Sequence, residues 1–182
     1  LHSVMTKIGL ISDTHSWMDD KILKALDNCD EIWHAGDFGN EAVAEALEKT
    51  GKPVKGVYGN IDGYAIRSVF PEVLHFTCEA VPVMMKHIGG YPGRYAPGVK
   101  KEIAASGARL FISGHSHILK VQYDAALQCL HINPGAAGHQ GWHTVRTLVQ
   151  FVIDGDQIRD CAVVELGRRG QGVAPGHITT DE

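Results

Sequence analysis

The chain has few of the features that mark whole classes of protein. Its four cysteines (Cys29, Cys78, Cys129 and Cys161) lie far apart with no C-x-x-C pair. That spacing argues against a zinc knuckle or a disulfide framework, and it reads as buried thiols in a reducing compartment. No stretch approaches the roughly 20 apolar residues of a membrane span. No basic region followed by an apolar run opens the chain, so the expectation is a cytoplasmic protein without membrane contact. There is no G-x-x-x-x-G-K-[ST] phosphate loop and no G-x-S-x-G nucleophile turn. Positive charge is not in excess either: the net charge of −4 argues against an extended nucleic-acid-binding face. Internal repeats and interdomain linkers are absent. The 182 residues therefore read as one domain, 1–182, with the Gly-rich, polar stretch 167–182 as a flexible tail. What the chain has in quantity is histidine, eleven in all.

Apolar runs alternate with amphipathic ones. Lys7–Ser12, Glu31–Ala35 and Pro53–Tyr58 are strand-like. Between them, Ile22, Leu23, Ala25 and Leu26 recur at helical spacing, and Asn40 precedes an amphipathic Glu41–Thr50 as a candidate N-cap. Strand–helix alternation predicts βαβ units and a largely parallel, buried sheet. Further on, Leu74–His87 reads as two strands turning near Glu79, and Pro97–Gly107 as a helix with Pro at its start and Gly at its end. The runs that follow, from Ala108 to Leu166, read as mostly β meander. Two sheets packed face to face, with helices outside, would bury such strands on both sides.

The residues just beyond the strand ends carry the chemistry. The first strand is followed by Asp13 and His15, the second by Asp37 and the third by Asn60. His87 closes "VMMKH", and His115 with His117 follow "FISG". In open α/β sheets, ligands bind beyond the carboxyl ends of strands, so these residues can share one crevice. Two carboxylates, one amide oxygen and four imidazoles form a mixed N/O set suited to Mn, Fe, Co, Ni or Zn. Gly36, Gly59 and Gly114 each precede one of these residues, where the lack of a Cβ allows a sharp turn and a close approach.

D-x-H, G-D, G-N-x-D, a lone His and G-H-S-H, in this order over Lys7–Ala137, resemble the calcineurin-like metallophosphoesterase superfamily. The short length, "GNID" and "NPGA" (Asn133–Ala136) resemble its small YfcE-type phosphodiesterase branch. The resemblance implies an α/β fold, a four-layer α/β/β/α sandwich of two mixed β-sheets flanked by helices. It also implies two divalent metal ions, manganese foremost, with Fe, Ni, Co or Zn as alternatives. Asp13, His15 and His117 would hold one ion, and Asn60, His87 and His115 the other. Asp37 would bridge them.

Such a centre keeps a positive charge, since two divalent ions bring +4 and two carboxylates return −2. It would attract a phosphoester and lower the pKa of a bridging water, giving a hydroxide nucleophile. The expected reaction is phosphodiester hydrolysis on a small-molecule substrate. Asp37, Asn60 and Asp62 would serve the reaction, and Asn60 and Arg94 the substrate. By similarity, Asp62 would orient a neighbouring ligand. Arg94 is either a phosphate contact or a solvated loop arginine.

Two positions depart from the family pattern. Protein-phosphatase relatives carry His after the G-N pair, where this chain has Ile61, which transfers no proton. His34, His139 and His143 are alternative leaving-group acids or structural side chains. Where many relatives read H-G-H, this chain reads His87-Ile88-Gly89. Ser116 as a nucleophile ranks below the metal reading, and Trp17 and Trp33 read as core or pocket-edge residues. A phosphomonoesterase at the same site, or a scaffold resembling the retromer-subunit branch with its altered ligand positions, are the alternatives. Self-association into a homo-oligomer is compatible with this reading.

Overall fold

The computed structural model describes residues 4–173. The first half alternates as expected: β1 (Met5–Ile11), α1 (Asp20–Leu26), β2 (Glu31–His34), α2 (Glu41–Glu48) and β3 (Val54–Gly56). A four-residue α3 (Tyr64–Arg67) precedes β4 (Val73–Cys78) and β5 (Val81–Lys86). A small hairpin of β6 (Gly90–Tyr91) and β7 (Arg94–Tyr95) leads to α4 (Val99–Ser106). Then come β8 (Leu110–Ile112), β9 (Lys120–Asp124), β10 (Cys129–Asn133), β11 (Val145–Asp154) and β12 (Gln157–Arg168).

Two mixed sheets result, ordered β12-β11-β1-β2-β3 and β4-β5-β8-β10-β9. In each, the three site-forming strands or their neighbours run parallel: β1, β2 and β3 in the first, β5, β8 and β10 in the second. The expected meander is corrected here. Within these two sheets, the antiparallel neighbours in sequence are β4–β5, β9–β10 and β11–β12; β10 inserts between β8 and β9, and β11 crosses back to β1. Apolar strands buried on both faces are nearly interchangeable by composition, so hydrophobic pattern does not specify their order.

Alternation along the strands builds four layers. Ile8, Leu10 and Trp33 from the first sheet meet Val83, Met85, Leu110 and Ile112 from the second in the central core. The alternate residues face outward: Ile11 and Ile32 pack against Ile22, Leu26, Val43 and Leu47 of α1 and α2. Met84 and Phe111 pack against Val99 and Ile103 of α4. This is the period-two rule of strands applied to facing sheets. Trp33 is wholly buried, edge-on to Phe76 and Phe151 at centroid distances of 4.9 and 5.7 Å. It is a core residue, and its truncation to alanine would cost roughly 3–5 kcal/mol.

Local chemistry sets the helix ends. Asp19 caps α1, accepting from Ile22 N–H at 3.0 Å, and also takes Trp17 Nε1–H at 2.8 Å and the buried Arg146 guanidinium at 2.9 Å. Asn40 occupies the cap position of α2 but makes no side-chain cap bond. The stretch expected to be tail is partly ordered structure: β12 runs to Arg168, and Gly170 N–H donates to His139 Nδ1 at 2.7 Å. The remainder of that tail, 174–182, lies outside the described residues. Among the described residues no helix is long and apolar enough to cross a membrane.

Two predictions follow from these buried polar groups. Asp19→Ala removes a cap and strands the Arg146 charge, so urea denaturation should show a loss of about 3 kcal/mol. In Asp19→Ala/Arg146→Met the added loss should be smaller than the two single losses summed. His131, buried, donates Nδ1–H to Phe111 O at 3.2 Å, and burial pushes its pKa from 6.5 down to about 4. Between those values the unfolded chain binds the proton and the folded chain does not, so stability falls as the pH drops. The loss from pH 7 to pH 5 should shrink by about 2 kcal/mol in His131→Asn.

Candidate metal centre

Backbone bonds draw the strand-end loops together before any side chain acts. Asp13 N–H donates to Gly36 O (2.9 Å), His15 N–H to Asp37 O (3.0 Å), and Gly114 N–H to His87 O (3.0 Å). The loops bend sharply where the site residues stand. Asp13, His15, Asp37, His115 and His117 all have positive φ, between 44° and 70°. Non-glycine residues adopt this region at a cost, and such strain collects where side chains must be aimed at a ligand. Close approach matters too. A Cβ on Gly36 would lie 2.5 Å from His87 Nδ1, and one on Gly114 would meet Ser12 Oγ and come within 2.8 Å of Asp13 Oδ2.

The side chains then converge in two groups. Asp13, His15 and His117 bring their ligand atoms within 4.8 Å of one another, and so do Asp37, His87 and His115. His117 Nε2 is 3.2 Å from Asp13 Oδ1. Asp37 Oδ2 lies between the groups, 3.3 Å from His15 Nε2 and 3.1 Å from His87 Nε2. Asn60 Oδ1 sits 3.0 Å from His115 Nδ1 at the exposed mouth, while Asp13, Asp37 and His87 form a buried floor.

The donor atoms are aimed by their other bonds. His87 Nδ1–H donates to Ala35 O at 2.7 Å, which turns Nε2 toward the carboxylates. Asp13 Oδ2 accepts from Ser12 Oγ–H (2.7 Å) and His115 N–H (3.1 Å), leaving Oδ1 for the centre. Asp37 Oδ1 accepts from Ile61 N–H at 3.1 Å, leaving Oδ2. Asp13 Oδ1 and His87 Nε2 are both buried and make no hydrogen bond. Uncompensated buried polar atoms are costly, and a divalent cation between them would satisfy both. The residues present therefore fit a metal.

Charge coupling supports the same reading. Burial alone would raise the Asp13 carboxyl, yet His117, His15 and His87 hold it well below the usual range. Burial alone would lower His15, yet the Asp13 and Asp37 carboxylates beside it raise it to about 9. Asp37 is likewise held low by His15 and His87 against the effect of burial. Positive charge is thus favoured between these groups, and protons and cations compete for it.

Other residues named from the sequence have different places. Asp62 accepts four backbone N–H bonds: Asp37 (3.0 Å), Phe38 (3.2 Å) and Gly59 (2.8 Å) on Oδ2, and Gly39 (2.9 Å) on Oδ1. It ties the Asp37 and Asn60 loops together, holding the backbone of the Asp37 ligand position. His34 is buried and stacked on Phe38; Gly36 N–H donates to its Nδ1, and burial drives its pKa down to about 3. His139 is buried against Trp17, and burial lowers it to about 4. His143 Nε2–H donates to Gly138 O at 2.8 Å, with its ring edge-on to His117. All three have structural partners, and of the three it is His143 whose ring touches a residue of the centre, His117. Arg94, on β7, is exposed and lines a cleft beside His115. Ser116 Oγ accepts from Asn133 Nδ2–H at 3.1 Å.

Two supporting residues were not assigned from the sequence. Ser12 orients Asp13, and Asn133 pins the Gly114–Ser116 turn by donating to Gly114 O at 3.0 Å. The signal for Asn133 lay in "NPGA", but its bonding partner is remote in sequence.

Residues 6–156 match the sequence profile described as the calcineurin-like phosphoesterase superfamily domain. No curated protein matches the chain. A conserved predicted phosphoesterase of Streptococcus pneumoniae TIGR4 has a similar structure, at 19% identity, 94% of each chain and a TM-score of 0.65. An archaeal phosphodiesterase is similar at 22% identity, over 87% of this chain and 99% of that one, with a TM-score of 0.65. Wild-type Vps29 of Entamoeba histolytica, complexed with zinc, is similar at 14% identity, over 88% and 99%, with a TM-score of 0.69. At such identities these likenesses concern the fold.

Asp62→Ala would leave four backbone N–H groups of the two loops without their acceptor. Manganese affinity by calorimetry should fall at least tenfold, with a stability loss of about 3 kcal/mol.

Proposed function

The chain belongs to the calcineurin-like phosphoesterase superfamily, and on that premise we propose that it is a metal-dependent phosphodiesterase. Asp13, His15 and His117 hold one divalent ion in this reading, and Asn60, His87 and His115 the other, with Asp37 shared. Manganese is the ion proposed. Two such ions would bind phosphate oxygens and activate a shared water as hydroxide for in-line attack, with no protein nucleophile.

The observation that supports the diester reading is a pair of clefts that border the Asn60, His87 and His115 half of the centre. One, of about 290 Å³, includes His115, Ile118 and Tyr91. The other, of about 210 Å³, includes Asn60, His87 and Tyr58. Ile88 borders both. A phosphomonoester has one arm and would leave one cleft empty; a diester has two.

The chain's own residues shape the remaining steps. Asp37 is held by Ile61 N–H with its free oxygen toward both halves of the site. Asn60 and His115 stand at the mouth, with Asn60 Oδ1 3.0 Å from His115 Nδ1, where both would face a bound cation. Ile61, 44% exposed, offers no proton to the leaving group, which favours diesters whose alkoxide or phenoxide leaves unaided. The scaffold alternative draws support from the fold likeness to Vps29. A cytoplasmic location and a small-molecule substrate complete the proposal.

The test is hydrolysis of an aryl diester and the matching aryl monoester by metal-stripped protein titrated with manganese. Turnover should return with metal and be faster on the diester. Asp37→Ala should lower kcat at least a thousandfold, whereas Ser116→Ala should retain most of it. Loss of turnover in Ser116→Ala with metals still bound would contradict the water nucleophile. Two bound ions with no turnover on either ester would favour the scaffold.

A further inference from the structure

The two clefts differ in charge. The smaller one is mixed, with Arg67 and Lys86 beside the Glu72 carboxylate. Arg67 is also engaged, with Nε–H donating to Asp62 O at 2.5 Å and the guanidinium 4.3 Å from the Tyr58 ring centroid. The larger cleft carries two cations, Arg94 and Lys120, and among the described residues no carboxylate lines it. This stands out in a chain of net charge −4.

Its walls are built by two segments. The β6–β7 hairpin supplies Tyr91 and Arg94, and the turn from Gly114 into β9 supplies Ile118 and Lys120. Lys120 Nζ lies 3.9 Å from the Tyr91 ring centroid, so the ring holds the ammonium at the cleft wall while its N–H donors stay open to a ligand. Ile88 and Ile118, 43% and 62% exposed, give it apolar edges. At about 290 Å³ the cleft is at the small end for ligand sites, which suits one arm of a diester and not both.

From these features, and resting on the phosphodiesterase reading, we infer that the larger cleft binds an ester arm that combines an apolar body with a second anionic group. The scissile phosphate sits at the metal centre beside His115. The arm's apolar body lies along Ile88, Ile118 and Tyr91, and its own anion is bound by Arg94 and Lys120. An arginine can chelate two oxygens of a phosphate or carboxylate, and a lysine adds a point charge. The substrate class is therefore a diester with a charge on one arm, of which a nucleotide with a further phosphate is the simplest form. A neutral alkyl or aryl arm would leave both cations unused.

The test uses binding as well as turnover. Thymidine 3′,5′-bisphosphate and thymidine 5′-monophosphate are titrated calorimetrically into manganese-equilibrated protein, wild type and Arg94→Gln/Lys120→Gln. Wild type should bind the bisphosphate at least tenfold more tightly, and the preference should fall to within twofold in the double variant. Each single variant should lose part of it, and unchanged thermal unfolding would show that the fold survives. Equal binding in wild type, or a preference that persists in the double variant, overturns the inference. In parallel, thymidine 5′-(p-nitrophenyl phosphate) is compared with its 3′-phosphorylated form as substrate. If the binding preference holds and neither is hydrolysed, the cleft assignment stands and the hydrolase reading falls. If both are hydrolysed at equal kcat/KM and binding shows no preference, the hydrolase reading stands and the cleft assignment falls.

Discussion

Asp13 and Asp37 are both buried, and each lies within 4 Å of His15 Nε2 and of His87 Nε2. Two carboxylates out of water at such range are unfavourable unless positive charge stands between them. The imidazoles supply some of it, and the raised His15 and lowered Asp13 and Asp37 express that demand. Two divalent cations would meet it more fully. The sandwich places the carboxyl ends of β1, β2 and β3 opposite those of β5 and β8, so that ligands from both sheets reach one crevice.

The strained backbone belongs to the same constraint. Five site residues take left-handed conformations that regular strand continuation would forbid. Their cost is met by bonds around them: the Asp62 carboxylate across two loops, the Asn133 amide under the histidine turn, and the packed core on either side of each sheet. A rigid periphery holds an electrostatically frustrated centre. That arrangement suits a site whose ligand completes it.

Much of this was legible in the residue order, for a physical reason. A buried strand followed by glycine or aspartate announces its own end, and seven ligand-type side chains stood at five such ends. The short apolar runs of β1, β2 and β3, alternating with amphipathic helices, likewise announced a parallel, buried sheet. The parts that were not legible lacked a local signal. α3 has only four residues and β6 and β7 two each, too short for any periodicity. Strand order in the second sheet depends on long-range pairing between similar apolar runs. Asn40 has the composition of a cap without the bond, and Asp19 has both. The work of Asp62 depends on four N–H groups, three of them more than twenty positions away, which no spacing rule reveals. The cation-lined cleft also joins Tyr91 to Lys120 across 29 positions of chain, so Arg94 alone could not be told from a solvated arginine.

The most direct measurement is metal stoichiometry. Stripped protein, equilibrated by dialysis against manganese, should hold two ions per chain, and their magnetic coupling should appear in the electron paramagnetic resonance spectrum. His117→Ala should reduce the count to one and remove the coupling. A folded wild-type chain that binds one uncoupled ion, or none, would contradict a paired centre, and the charge between Asp13 and Asp37 would then have to be protons.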